Sequence, residues 1–315
     1  MRSRSIVPIL SFMLLFTNLS YAFQSNDNVG VLVLAHGSMD KTWNNAIEDA
    51  VEPIRENHTV EIAWGMANAL NMQPALTKLD AKGVDHIVVV QLFVSSFSPI
   101  IRQNEYLLGL RERLADAPMP MMVHDMENHR MTMKMPENLQ PLDVKADIVL
   151  TDPLDDHELV AEILHERIQD LSTQPGEETI LLVAHGPNQE ADNEQWVAKL
   201  ESLGKKIQAK QSAEGKAYAN MISLTVRDDA PEDIHEKARL EFRAHVQEAD
   251  DNGTAIVIPV LLASGGVEQK YVQRLEGLNY KWSGETLLPH ENIEKFIQLR
   301  VEEGLAKINQ KASAN

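Results

Sequence analysis

The sequence predicts an α/β protein in two similar halves, each a parallel sheet flanked by helices. Three observations predict this class. Apolar, β-branched runs alternate with helix-length stretches along the whole chain. Those runs are nearly continuous, as suits strands covered on both faces. The order then repeats after a Pro/Gly linker at 172–177 (STQPGE).

The first half opens with Val29–Ser38 (VGVLVLAHGS), followed by a helix over Lys41–Glu56, a strand at Val60–Met66, a helix over Pro74–Lys82 stopped by Gly83, and the strand His86–Val94 (HIVVVQLFV). A helix over Ile101–Leu114 comes next. An irregular Met/His-rich insertion, 117–141, precedes the strand Asp147–Leu150 and a helix over His157–Leu171. The second half has strands at Thr179–Ala184, Met221–Val226 and Thr254–Leu262. Its helices are expected through Trp196 and Leu203, over Pro231–Ala249, near Tyr271–Leu275 and over Asn292–Ala306. The expected domains are 27–172 and 178–310, both of ordinary domain size, and gene duplication accounts for the repeated order.

Residues 1–22 read as a signal peptide: Arg2 and Arg4 precede an apolar stretch over Ile6–Phe16, and Ser20-Tyr21-Ala22 supplies small residues at the cleavage site. The stretch is shorter than the roughly 20 residues that span a bilayer. Export to the periplasm or medium, with no stable membrane span, is therefore expected. The chain has no cysteine, so any metal must be held by His, Asp, Glu or Met. A formal charge of −18 argues against nucleic acid and favours cations.

Two strand ends carry the same signal. His36-Gly37 follows the first strand and His185-Gly186 follows the first strand of the second half. Ligands of open α/β sheets bind at the carboxyl ends of the strands, where a histidine is placed to bind metal or move protons. The alternative role for each is to hold the strand-to-helix turn, with the glycine supplying backbone freedom and Ser38 capping the helix.

With His36-Gly37-Ser38, the segment Pro74–Leu92 (PALTKLDAKGVDHIVVVQL), the repeated half and Tyr271–His290 (YVQRLEGLNYKWSGETLLPH), the chain resembles the sirohydrochlorin cobaltochelatases of the CbiX type, within the class II chelatases. The resemblance implies a metal–tetrapyrrole lyase that inserts cobalt or iron into a macrocycle such as sirohydrochlorin without ATP, in cobalamin- or sirohaem-type biosynthesis. The divalent metal would be a substrate, and no organic cofactor is implied. The first family histidine corresponds to His36, with His185 as its counterpart. The second family histidine is replaced by Pro99 in the first half and by Val267 in the second.

Mixed nitrogen and oxygen ligation suits cobalt and iron, so Glu105, Glu268 and His290 are candidates to complete a site or accept protons. Each also has a plain alternative, as a solvated helix glutamate or a helix-entry histidine. Arg102, Lys270 and Arg274 are candidates for the macrocycle's carboxylates, with Ser38 beside them. A second expectation is a non-catalytic exported protein that binds metal or tetrapyrrole on the same fold. The 117–141 segment supports a third: its methionines and histidines suit copper(I), or else they pack over an apolar cleft. Serine hydrolysis is not supported, because no G-x-S-x-G elbow occurs.

Overall fold

The computed structural model describes residues 28–314, apart from Ala115, residues 126–129 and Glu137. The expected signal peptide at 1–22, and Met126 and His129 of the insertion, lie outside the described residues. Strands β1 (Val29–Ala35), β2 (Thr59–Trp64), β3 (His86–Leu92) and β6 (Asp147–Leu150) form a parallel sheet in the order β2-β1-β3-β6. Strands β7 (Glu178–Ala184), β8 (Asn220–Thr225) and β9 (Thr254–Val260) form a second, in the order β8-β7-β9. The registers correspond: Ala35 aligns with Trp64 and Leu92, and Ala184 with Thr225 and Val260.

The helices are α1 (Lys41–Arg55), α2 (Ala69–Ala81), α3 (Pro99–Leu107), α4 (Glu158–Gln169), α5 (Glu190–Glu214), α6 (Glu232–Asp251), α7 (Val267–Arg274) and α8 (Glu291–Ala314). Alternate β1 side chains enter different layers. Leu32 and Leu34 pack with Met72, Leu76 and Leu79 of α2, whereas Val31 and Val33 join a core that also holds Ile180, Leu182, Ile256 and Ile258 of the second sheet. Helices α1, α4, α5 and α8 thus fill one shared core between the two sheets, and α2 and α6 cover the outer faces.

Two helices cross between the halves. Helix α4 leaves the first sheet and packs on α5 and β9, and α8 returns from the second half to pack on β3 and β6. The approach of α8 to β3 is close. A Cβ on Gly304 would sit 2.4 Å from Val88 Cγ1, so only glycine lets the helix lie there.

Some boundaries differ from the sequence expectation for local reasons. Helix α2 starts before Pro74 because the Asn68 side chain accepts from Leu70 N. Helix α3 stops at Leu107, ahead of Gly109 at φ 73°. Part of the expected irregular insertion forms an antiparallel ribbon, β4 (Met121–Asp125) with β5 (Arg130–Lys134). No helix of the described residues is long and apolar enough to cross a membrane.

Candidate metal-binding edge

At the carboxyl end of β1 the chain leaves Ala35, exposes His36 and turns through Gly37 at φ 74°. The second half repeats the turn, with Gly186 at φ 75° after His185. Both turns need glycine. A Cβ on Gly186 would lie 2.5 Å from Thr225 Cβ, and one on Gly37 would press on Trp64 at 3.3 Å. The imidazoles are held alike: His36 Nδ1 lies 2.7 Å from Gly37 O and His185 Nδ1 2.9 Å from Gly186 O. A carbonyl oxygen only accepts, so Nδ1 carries the proton and Nε2 keeps its lone pair in the neutral ring. That is the atom a metal takes.

Aromatic rings wall the first site. Trp43 meets His36 edge-on at 6.4 Å between ring centres, and Trp64 meets Trp43 at the same spacing. The Asn44 side chain accepts from Ser38 N at 2.9 Å and donates to Ser38 O at 2.8 Å, fixing the turn. Asp40, rather than Ser38, caps α1 by accepting from Thr42 N at 2.8 Å, and Ser38 Oγ accepts from Asp40 N at 3.1 Å.

The second half reaches this site through its β9–α7 loop. A Cβ on Gly265 would stand 3.0 Å from Trp43 Cδ1 and 3.8 Å from Ser38 Oγ. Glu268 shapes that loop: its carboxylate accepts from Ser264 Oγ at 2.5 Å, Gly266 N at 3.1 Å and Gly265 N at 3.4 Å. Burial pushes the Glu268 carboxyl up, but these donors outweigh it and hold the group below the usual range. At pH 7 it is a carboxylate directed at its own loop.

The other residues singled out by sequence are dispersed. Glu105 pairs with Arg111 at 2.5 Å. Arg102 joins the halves through Asp116 and Asp192. Arg274 is enclosed by Asp228, His235 and the Val226 carbonyl, while Lys270 is exposed on α7. His290 enters α8, pairing with Glu166 at 2.9 Å and accepting from Asn292 N at 3.1 Å. His185 Nε2 faces Asp229 at 3.4 Å. Among the described residues no three His, Asp or Glu side chains converge as a metal cage. Pro99 and Val267 each occupy the first turn-position of a helix, α3 and α7. Proline suits that position because its missing N–H would have no helical partner there.

Trp43, Asn44, Gly265 and Asp229 went unnoticed in the sequence. Trp43 had one signal, an aromatic on the helix that starts from the histidine turn. The others belong to the site through tertiary placement.

Two parallel sheets around a shared helical core, with a strand-end histidine beside a loop from the other half, define a two-lobed α/β protein. The CbiX family model matches residues 30–171. A sirohydrochlorin cobaltochelatase of Methanopyrus kandleri is 29% identical over 145 residues, 45% of this chain and 96% of that protein. SirB from Bacillus subtilis, solved with Fe3+, superposes with a TM-score of 0.59 at 16% identity, over 90% of this chain and 98% of its own. Residues 30–171, a little under half of the chain, are thus similar to the CbiX family.

Proposed function

We propose that this protein inserts a divalent metal, cobalt or iron, into sirohydrochlorin in the cleft between its two halves. The observation that carries the reading is His36, exposed at the end of β1 with Nδ1 tied to Gly37 O and Nε2 open, in a half that matches the CbiX family model. Insertion places a dication where two pyrrole protons leave. His36 Nε2 binds the incoming metal, which is a substrate, and water or a neighbouring carboxylate takes the protons.

Trp43, only 9% exposed beneath the Gly265 loop, backs the His36 turn rather than facing a ligand. Lys270 is available for a peripheral carboxylate, whereas Arg102 and Arg274 are already engaged with aspartates. His185 with Asp229 supports a second cation-binding point in the other half. The basic, apolar and small-residue pattern of residues 1–22 supports export, so the reaction is assigned to the periplasm or exterior.

The test is an absorbance time course of the mature protein with excess sirohydrochlorin and Co2+ or Fe2+, against a no-protein control. Many turnovers per chain are expected. Spectral change that saturates at one equivalent would replace the enzyme reading with that of a carrier.

A further inference from the structure

The loop between β3 and α3, residues 93–98, starts beside His36, because Ala35 and Leu92 are paired where β1 and β3 end. Groups from other elements hold it residue by residue. Leu154 N donates to Phe93 O and Asp155 N to Val94 O, both at 3.0 Å. The Asp155 carboxylate accepts from Ser96 N at 2.9 Å and from Ser96 Oγ at 2.5 Å. From the second half, Trp196 Nε1 donates to Phe97 O at 2.6 Å. Asp155 does this from a left-handed backbone, φ 44°, which few residues other than glycine adopt. Trp196 belongs to a stripe along α5: Asp192, Trp196 and Lys199 follow the spacing of one helix face and meet in turn Arg102 of α3, Phe97 O, and Asp156 between β6 and α4. A helix of the second half thus braces the sheet edge on which His36 stands.

We propose that Trp196 and Asp155 are positioning residues for macrocycle binding, fixing the β3–α3 loop as the rim that meets the ring when its centre lies over His36. The inference rests on the reading of the protein as a sirohydrochlorin chelatase, and extends it by making the second half part of the first half's site. A metal that enters from His36 Nε2 must reach the middle of the ring, so the ring lies across that atom. Neighbouring strands stand only about 5 Å apart, and a ring of four pyrroles is wider than that spacing. It therefore extends over the end of β3, where the loop begins. Neither Trp196 nor Asp155 has to touch the metal or the reacting nitrogens for this.

The test uses the full mature chain with two readouts, equilibrium dialysis of sirohydrochlorin without metal and initial insertion rates with Co2+. Trp196→Phe keeps an aromatic ring and removes the N–H. Asp155→Gly suits the positive φ, keeps the backbone bond to Val94 and removes only the carboxylate. Each should weaken sirohydrochlorin binding and raise its KM by about fivefold, with kcat and the KM for Co2+ close to those of the parent. Asp155→Asn retains one acceptor oxygen and tolerates the left-handed backbone, so it should recover part of the loss. Circular dichroism establishes that each variant is folded. Folded Trp196→Phe and Asp155→Gly proteins that bind sirohydrochlorin as the parent does would overturn the positioning role and leave the chelatase reading intact, as would a fall in kcat with binding unchanged. If the parent binds the macrocycle without turnover, the enzyme reading falls and the dialysis comparison alone decides the positioning role. A parent that binds no sirohydrochlorin would overturn both.

Discussion

Arg102 of α3 holds Asp192 of α5 at 2.8 Å, so one guanidinium ties the first half to the second. Asp116 takes the same guanidinium, and the two aspartates are 12% and 10% exposed in their side chains. Arg102→Ala leaves both carboxylates without their cation and should cost about 3 kcal/mol in urea unfolding. Arg102→Lys should recover only part of that, because an ammonium cannot form the forked contact. A full recovery by lysine would show that charge alone is needed.

Asp156 makes a second tie between the halves and gives it a pH signature. Burial pushes its carboxyl up, but hydrogen bonds from Lys199 and Ser202 outweigh burial and bring it to about 2, from an ordinary 3.8. A depressed carboxyl contributes stability that is fully present above its unfolded value and is lost as pH falls through the folded one. Asp156→Asn should therefore cost about 2 kcal/mol at pH 7. The difference from the parent should shrink between about pH 4 and pH 2 in denaturation curves. A difference independent of pH in that window would refute the ion-pair account.

Gly304 lets α8 lie against Val88 of β3. Gly304→Ala forces the helix away and should cost about 1–3 kcal/mol. Adding Val88→Ala makes room for the new methyl, so a double-mutant cycle should show a clear favourable coupling between the two changes. Additive effects would place the clash elsewhere.

Glu268 holds the loop that lies against Trp43 and Ser38. Glu268→Ala frees Ser264, Gly265 and Gly266 from their acceptor and should raise KM for the macrocycle more than it lowers kcat. Glu268→Gln keeps an acceptor oxygen and should restore part of the loss. A fall in kcat alone would instead make this carboxylate a participant in the chemistry.

The strands were legible in the sequence because burial on both faces writes them as unbroken β-branched runs. The expected strand from His86 ends within two residues of β3, which finishes at Leu92. His36 and its glycine were legible for a related reason, since a strand-end turn at positive φ needs glycine. The β4–β5 ribbon was hidden, because methionine occurs at both parities and masks the period of two. The crossing of α4 and α8 was also hidden: each has the local pattern of a helix that covers its own half. Gly265 and Trp43 meet only after the two halves pack, so no local spacing marks them.

The most direct test of the central claim compares initial rates of metal insertion by the parent protein and by His36→Ala, with sirohydrochlorin and Co2+ in excess and circular dichroism matched. The account predicts that the variant loses at least about 100-fold in rate while remaining folded, because the exposed His36 Nε2 is where the metal enters. A folded His36→Ala protein that inserts metal at the parent rate would contradict it.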